Sequence, residues 1–231
     1  MDAFVKQDDL EGLTDFVGRM PWSKKNALLI AVSLHQGQKD RGGKPYIEHL
    51  QYVAENSCTI RKSIFLTESS PTQIVDQYAV GVLHDSLEDV TIIMRTGSTH
   101  DGKKEFLPLN AKHLIKMGVP DRVVRAIELL TKNKNEVNLS REVDKSTPES
   151  SWEAYKPQIM PLLAPDSDVP RESQILGICA KIADNRHNAD FTRLPRKAHF
   201  LPSTMIRCAT YGMSAAALIC RAYELEREPI N

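Results

Sequence analysis

The sequence predicts an all-α fold, with one helical domain that carries inserted loops and short elements. Apolar residues recur at three- and four-residue spacing along most of the 231 residues, and helix start signals precede several of these stretches. Hydrophobic residues make up 41% of the chain and charged residues 26%, a balance typical of a globular protein. We expect one domain over residues 1–231, with a core at about 23–190 and a C-terminal helix at about 203–226.

Two helices are predicted early in the chain. Ser23 is placed to cap a helix that runs to about Leu34, because a serine side chain can accept a hydrogen bond from an unpaired backbone N–H group. After Pro45, four apolar residues recur at helical spacing. They are Ile47, Leu50, Val53 and Ala54.

The clearest helix start lies at Ser70. Pro71 suits the first helical position, and Gln73 completes a capping box. A buried stripe follows at Ile74, Tyr78 and Val82. Gly118 is placed to end a later helix, and roughly eight to ten helices are expected in total. The later helices are expected over residues 110–117, 120–130, 172–190 and 203–226.

Two stretches interrupt the helical pattern, at residues 61–71 and 132–170. The second is rich in Lys, Asn, Ser, Asp and Pro, but it also contains apolar residues at helical spacing that indicate a docked helix. These residues are Trp152, Tyr155, Ile159 and Leu162. Long connections in compact domains are often functional lids or hold short elements of their own, and the sequence does not distinguish a lid from a partner surface here.

Composition argues against a nucleic-acid or membrane partner. Lys and Arg number 30, as do Asp and Glu, so no global field attracts polyanions. No apolar run approaches membrane-spanning length, and no signal-peptide pattern opens the chain. The four cysteines are scattered without a CxxC pair, which indicates free thiols in a reducing compartment. We expect a cytoplasmic protein that binds a small molecule.

The segment HDSLED at residues 84–89 carries the sharpest chemical signal. On one helix, His84 would lie above Glu88 and Asp85 above Asp89, which crowds four ionisable groups at the end of an apolar stretch. Imidazole and carboxylate groups together bind manganese, iron, zinc or magnesium-class ions. The alternative is a solvated acidic helix end.

A second polar group ends the later helix AKIADNRHNAD. Asp184 and Asn188 are four residues apart, and His187 lies three residues after Asp184, so the three share one face. This face is either a ligand site or a polar helix end.

The third signal is the loop in LHQGQKDRGGKPYIEHL, where glycines and a proline predict a turn. Lys39, Arg41 and Lys44 cluster on this turn, and Tyr46 and His49 follow it. Such a loop can hold phosphates and offer an aromatic surface to a base. Its alternative is an exposed turn with solvated lysines and a packed histidine.

Taken together and in this order, the three segments resemble the HD-type hydrolase domain of the RelA/SpoT homologues. The resemblance is to the stand-alone small alarmone hydrolases in particular, and it spans residues 23–190. It implies that the metal ligands, usually to manganese, are His49, His84, Asp85 and Asp184. His35 belongs to the same motif and is expected to be structural.

The resemblance also implies roles for neighbouring residues. Glu88 and Asp89 match the acidic pair that orients or activates water, while Tyr46 and Asn188 match positions in the nucleotide pocket. His187 is expected to orient the site from behind the ligands.

The function implied is removal of pyrophosphate from the 3′ position of an alarmone nucleotide such as ppGpp or ppApp. Two alternatives stay open: a general HD phosphatase for other nucleotides, and a catalytically silent module that binds a nucleotide or a protein. The sequence departs from the family at Asp40, where an arginine commonly packs on guanine. We therefore expect relaxed base selectivity, unless Lys39 or Arg41 takes the arginine's place.

Overall fold

A computed structural model describes residues 3–65, 69–94, 105–131, 145–166 and 168–228. Within these ranges most of the chain is helical, and the strands form one small sheet. The predicted mainly all-α fold is confirmed. Among the helices in these ranges, none combines the length and apolarity needed to cross a bilayer.

The helices and strands have the following bounds. The α-helices are α1 (Gln7–Val17), α2 (Lys24–Leu34), α3 (Tyr46–Ile64), α4 (Pro71–Leu83), α5 (Ser86–Asp89), α6 (Ala111–Lys116), α7 (Asp121–Leu130), α8 (Pro148–Tyr155), α9 (Met160–Leu163), α10 (Arg171–Ala189) and α11 (Pro202–Arg227). The strands are β1 (Ala3–Lys6), β2 (Val90–Met94) and β3 (Glu105–Pro108). Short 3₁₀ helices cover Lys156–Ile159, Phe191–Arg193 and Arg196–Ala198.

The helix starts read from the sequence are present. Ser23 accepts a hydrogen bond from the Asn26 N–H, and α2 begins at the next residue. Ser70 and Gln73 form the expected capping box of α4. Gly118, at a φ of +82°, ends the helical stretch before it, since this left-handed conformation favours glycine.

Helix α10 is the centre of the fold. All of its residues from 173 to 185 are buried, and the helix packs against α3, α4, α7 and α11. Several of these buried residues are polar, and a buried polar group is costly unless it has a partner. The partners of the polar residues on α10 therefore determine what this region can do.

The two interrupting stretches are more helical than expected. Residues 61–64 continue α3, while residues 66–68 lie outside the described chain. In the second stretch the docked helix is confirmed as α8. It is followed by a 3₁₀ helix and by α9, in which Ile159 and Leu162 are fully buried. Residues 132–144 lie outside the described chain.

The sheet is an addition to the predicted fold. Strand β1 pairs in parallel with β2, and β2 pairs antiparallel with β3. Ala3, Val5, Val90 and Ile92 are buried in the core. Apolar runs this short do not distinguish a strand from a helix by periodicity, which explains why no strand was predicted.

Close contact between α3 and α4 depends on Gly81. A Cβ atom added to this glycine would lie 2.4 Å from Ala54 Cα and 2.8 Å from Ala54 N. Backbone atoms cannot yield as a flexible side chain can, so any larger residue must push the two helices apart.

We expect Gly81→Ala to lower the free energy of unfolding by about 1–3 kcal/mol, because it overpacks the contact between α3 and α4. Gly12→Ala is the matched control, since an added Cβ there meets nothing within 4 Å. Urea unfolding measures both variants. Equal stability of the two would show that the contact at Gly81 is not tight.

Candidate metal centre

Three buried side chains meet at one point, from α3, from the turn after α4 and from α10. His49 lies on α3, His84 follows α4, and Asp184 lies on α10. One ligand atom of each lies within 4.8 Å of the others. Asp184 Oδ1 is 3.5 Å from His49 Nε2 and 3.8 Å from His84 Nε2. This buried cluster can hold a metal ion.

Asp85 joins the same group. Its Oδ2 atom lies 2.9 Å from His84 Nε2 and 3.7 Å from His49 Nε2. The structure thus brings together all four residues that the sequence suggested as ligands. Two imidazole nitrogens with carboxylate oxygens are a donor set suited to manganese, iron or zinc.

The surroundings of the His84 Nε2 atom indicate that this cluster has a place for a cation. His84 Nδ1 donates to the Gly81 carbonyl at 2.8 Å, which turns Nε2 towards the carboxylates. That atom is buried and makes no well-formed hydrogen bond with any described residue. Burial disfavours the imidazolium form, yet Asp85 and Asp184 raise the pKa of His84 to about 10. The site therefore favours positive charge at Nε2, as a proton or as a metal ion.

Neighbouring donors hold the two carboxylates in place. Asp184 accepts hydrogen bonds from Lys181 Nζ at 2.9 Å and from Asn188 Nδ2 at 2.6 Å. Burial alone would raise the pKa of Asp184, but Lys181 and His84 lower it well below its usual range. Tyr46 donates its hydroxyl to Asp85 Oδ2 at 2.5 Å. Both carboxylates are thus kept ionised and oriented.

Lys181 was not singled out from the sequence, although the motif contains it. Its side chain is buried, and Asp184 outweighs that burial and raises the pKa of the ammonium well above its usual range. The spacing of three residues on one helix was the signal that could have found it.

His187 supports His49 from behind. The Nδ1 atoms of the two rings are 2.6 Å apart, so one of them donates to the other. Tyr52 stacks on His187 with 4.1 Å between ring centroids. Burial and the nearby His49 lower the pKa of His187 to about 3, which keeps the ring neutral near pH 7.

His35 is buried and hydrogen-bonded to polar neighbours of the cluster. Its Nδ1 donates to Gln38 Oε1 at 2.5 Å, and its Nε2 lies 3.1 Å from Ser86 Oγ. Gln38 in turn donates to Asp89 Oδ2 at 2.8 Å. Burial is the main cause that raises the pKa of Asp89 to about 6, and the negative charge of Asp85 contributes to the same shift. This chain of contacts holds Asp89 beside the cluster.

The sequence predicted one continuous helix through residues 84–89, and this prediction is wrong. Helix α4 ends at Leu83, and α5 begins at Ser86 after a turn at His84 and Asp85. The His84 ring bonds to the Gly81 carbonyl and so competes with the helical backbone for it. Both His84 and Asp85 reach the cluster from this turn.

A cavity of about 540 Å³ adjoins the cluster. Three of the four candidate ligands line it, together with Glu88 and Asp89. Six cationic side chains also line it: Lys39, Arg41, Lys145, Lys181, Arg193 and Arg207. Three tyrosines complete this part of the wall: Tyr46, Tyr155 and Tyr211. Six carboxylates line it as well: Asp40, Asp85, Glu88, Asp89, Asp184 and Asp190. A divalent ion at the centre would give this wall a net positive charge and so favour an anionic ligand.

The substrate-binding residues suggested by the sequence are mostly in this wall. Lys39, Arg41, Tyr46 and Asn188 line the cavity, whereas Lys44 does not. Sequence reasoning missed the contributions from the insertion, from the 3₁₀ helix Phe191–Arg193 and from the C-terminal helix, because no local motif marks them. These are Tyr155, Arg193, Arg207 and Tyr211.

Asp40 is engaged with another part of the chain. Its carboxylate accepts hydrogen bonds from Arg193 Nη2 and from the Lys44 N–H, each at 2.9 Å. Burial opposes ionisation, but these contacts lower the pKa of Asp40. A Cβ atom added to Gly42 would lie 2.7 Å from the Arg193 carbonyl oxygen, so the loop packs closely there. Arg193 therefore places a guanidinium beside Asp40.

Neither a scan against protein-family models nor a search of curated proteins found a match for this chain. The functional interpretation therefore depends on the sequence motifs and on the geometry of this site.

We expect Asp184→Ala to lose the bound metal and to lower the free energy of unfolding by up to about 3 kcal/mol in chelator-treated protein. In this variant the buried Lys181 ammonium loses its carboxylate partner. The expected loss of stability is at the low end of the range for an unpaired buried charge, because Lys181 borders the cavity. Metal analysis by mass spectrometry and urea unfolding measure the two effects.

The double variant Asp184→Ala/Lys181→Met is the control for this charge effect. It removes both members of the pair, so it should recover much of the lost stability without regaining metal. Retention of stoichiometric metal by Asp184→Ala would contradict its assignment as a ligand.

Proposed function

We propose that this protein is a metal-dependent hydrolase that removes pyrophosphate from the 3′ position of an alarmone nucleotide such as ppGpp or ppApp. One observation carries the proposal: buried histidine and aspartate donors converge beside a cavity whose wall also holds a carboxylate pair and several cations. The resemblance of the three motifs to alarmone hydrolases supports the choice of substrate.

The donor set suits a divalent ion, for which the resemblance favours Mn²⁺. His49, His84, Asp85 and Asp184 would hold it. The buried Nε2 atom of His84 supports this fit, because it lies 2.9 Å from Asp85 Oδ2 without forming a well-aligned hydrogen bond. When bound, such an ion lowers the pKa of water and carries charge that builds on phosphoryl oxygens.

Asp89 is the best placed proton acceptor. Burial raises the pKa of its carboxyl group, which makes the carboxylate a better proton acceptor than an exposed one. Gln38 holds Oδ2, which leaves Oδ1 to receive the proton. Glu88 lines the same cavity at an exposed position, where it can orient water or the leaving group.

The cations of the wall would bind the phosphate groups. Lys39 and Arg41 lie on the exposed loop and line the cavity. Lys181 is committed to Asp184, so its charge mainly offsets that carboxylate. Flexible lysine and planar arginine side chains on one wall suit a substrate with phosphates at more than one position.

The test is a panel of nucleotides incubated with purified protein and Mn²⁺, with the products separated by anion-exchange chromatography. We expect ppGpp or ppApp to release pyrophosphate and to leave GDP or ADP. Orthophosphate as the sole product would reject this reaction in favour of a general HD phosphatase. Absence of turnover by metal-loaded protein would favour a silent binding module.

In the same assay, Asp89→Asn should lower kcat at least about 100-fold, since an amide cannot accept the proton. The metal content of this variant should be unchanged, because Asp89 accepts a hydrogen bond from Gln38 and is not one of the candidate metal ligands. Asp166→Asn, at an exposed carboxylate outside the cavity lining, is the matched control. A normal rate for Asp89→Asn would remove Asp89 from the mechanism.

A further inference from the structure

A side chamber of about 300 Å³ adjoins the main cavity. Residues of α8 and α11 contribute to its wall, including Ser151, Tyr155, Arg207, Thr210 and Tyr211. Three of these, Tyr155, Arg207 and Tyr211, also line the main cavity. The two spaces therefore meet at the same side chains, and a ligand longer than its phosphoryl group can extend from one to the other.

The tyrosines at this junction are held in position. Tyr155 donates its hydroxyl to Asn185 Oδ1 at 3.0 Å, and Asn185 donates to Ser214 Oγ at 2.8 Å. The rings of Tyr155 and Tyr211 are perpendicular, with centroids 5.6 Å apart. A fixed aromatic corner offers a stacking face to a planar group at little entropic cost.

The rest of the chamber offers hydrogen bonds. Thr210 Oγ1 donates to Ser151 Oγ at 2.8 Å or to the Ile206 carbonyl at 3.0 Å. The Thr210 hydroxyl can therefore still accept from a ligand, and the Ser151 hydroxyl can donate to one. Arg207 makes no ion pair with any residue in the described ranges, and its guanidinium keeps its donors for a guest. Aromatic faces, hydroxyls and a planar cation are the groups with which proteins bind nucleobases.

The loop at residues 39–44 is less suited to that task. Asp40 already accepts two hydrogen bonds within the protein, and Arg193 uses its Nη1 and Nη2 atoms on His187 and Asp40. Lys39 and Arg41, the cationic residues that line the main cavity from this loop, are therefore better suited to binding phosphate than to recognising a base.

We propose that the side chamber binds the nucleobase of the substrate, stacked on the Tyr155–Tyr211 corner and hydrogen-bonded by Arg207. This assignment rests on the proposed function, because the phosphoryl group then lies at the candidate metal centre in the main cavity. Base selection belongs to α8 and α11, and the 39–44 loop contributes to phosphate binding.

Calorimetry with the Mn²⁺-loaded protein tests the assignment through binding alone. The probes are GDP and ADP, with ribose 5-phosphate as the base-free counterpart. Tyr211→Ala should weaken nucleotide binding about 5- to 100-fold, the range for loss of one base–aromatic stack. Binding of ribose 5-phosphate and the metal content should stay unchanged. Tyr223→Ala, at an exposed tyrosine on α11 outside both cavities, should leave all of these unchanged.

A second variant guards against loss of folding. Ser203→Trp adds bulk at the exposed rim of the chamber without removing a packed side chain, and it should weaken nucleotide binding to a similar extent. Equal weakening of GDP and ribose 5-phosphate, or unchanged GDP affinity in both variants, would overturn the assignment. Failure to hydrolyse ppGpp while base-dependent binding persists would instead contradict the proposed function alone.

Discussion

The contact between α3 and α4 at Gly81 fixes the geometry on which the candidate metal centre depends. Gly81 lets the α4 backbone lie against Ala54 of α3, and no larger residue fits without moving a helix. His49 precedes Ala54 by five residues and His84 follows Gly81 by three, so this contact sets the distance between the two imidazoles. Asp184 reaches them from the buried helix α10. Tight helix packing here is thus a condition for the chemistry.

Two carboxylates lie close together and largely out of contact with water, which lowers the stability of the folded protein. Hydrogen bonds from neighbouring side chains offset this cost, and the same hydrogen bonds orient the carboxylates for metal binding. Lys181 and Asn188 donate to Asp184, and Tyr46 donates to Asp85. The lysine supplies one positive charge against two negative ones, so the cluster favours further positive charge. The His84 Nε2 atom lies beside the Asp85 carboxylate, where it would contact an added cation. A divalent cation would satisfy the imidazole and both carboxylates together.

Local signals explain how much of the fold and site could be predicted from the sequence. The Ser70 capping box involves neighbouring residues, and it appears in the structure as expected. The four candidate ligands were suggested by motifs, and they lie together. The turn that breaks the helix after Leu83 depends on the His84 ring and its bond to Gly81, which periodicity does not encode. The Asp40–Arg193 pair joins residues 153 positions apart, so only the folded chain brings it into view.

The most direct test of the central claim is anomalous diffraction from crystals of the protein grown with Mn²⁺. We expect one strong anomalous peak within coordination distance of the imidazole Nε2 atoms of His49 and His84 and of the carboxylates of Asp85 and Asp184. A hydrogen-bonded cluster without such a peak, under conditions where Mn²⁺ is in excess, would contradict a metal-dependent role for these residues.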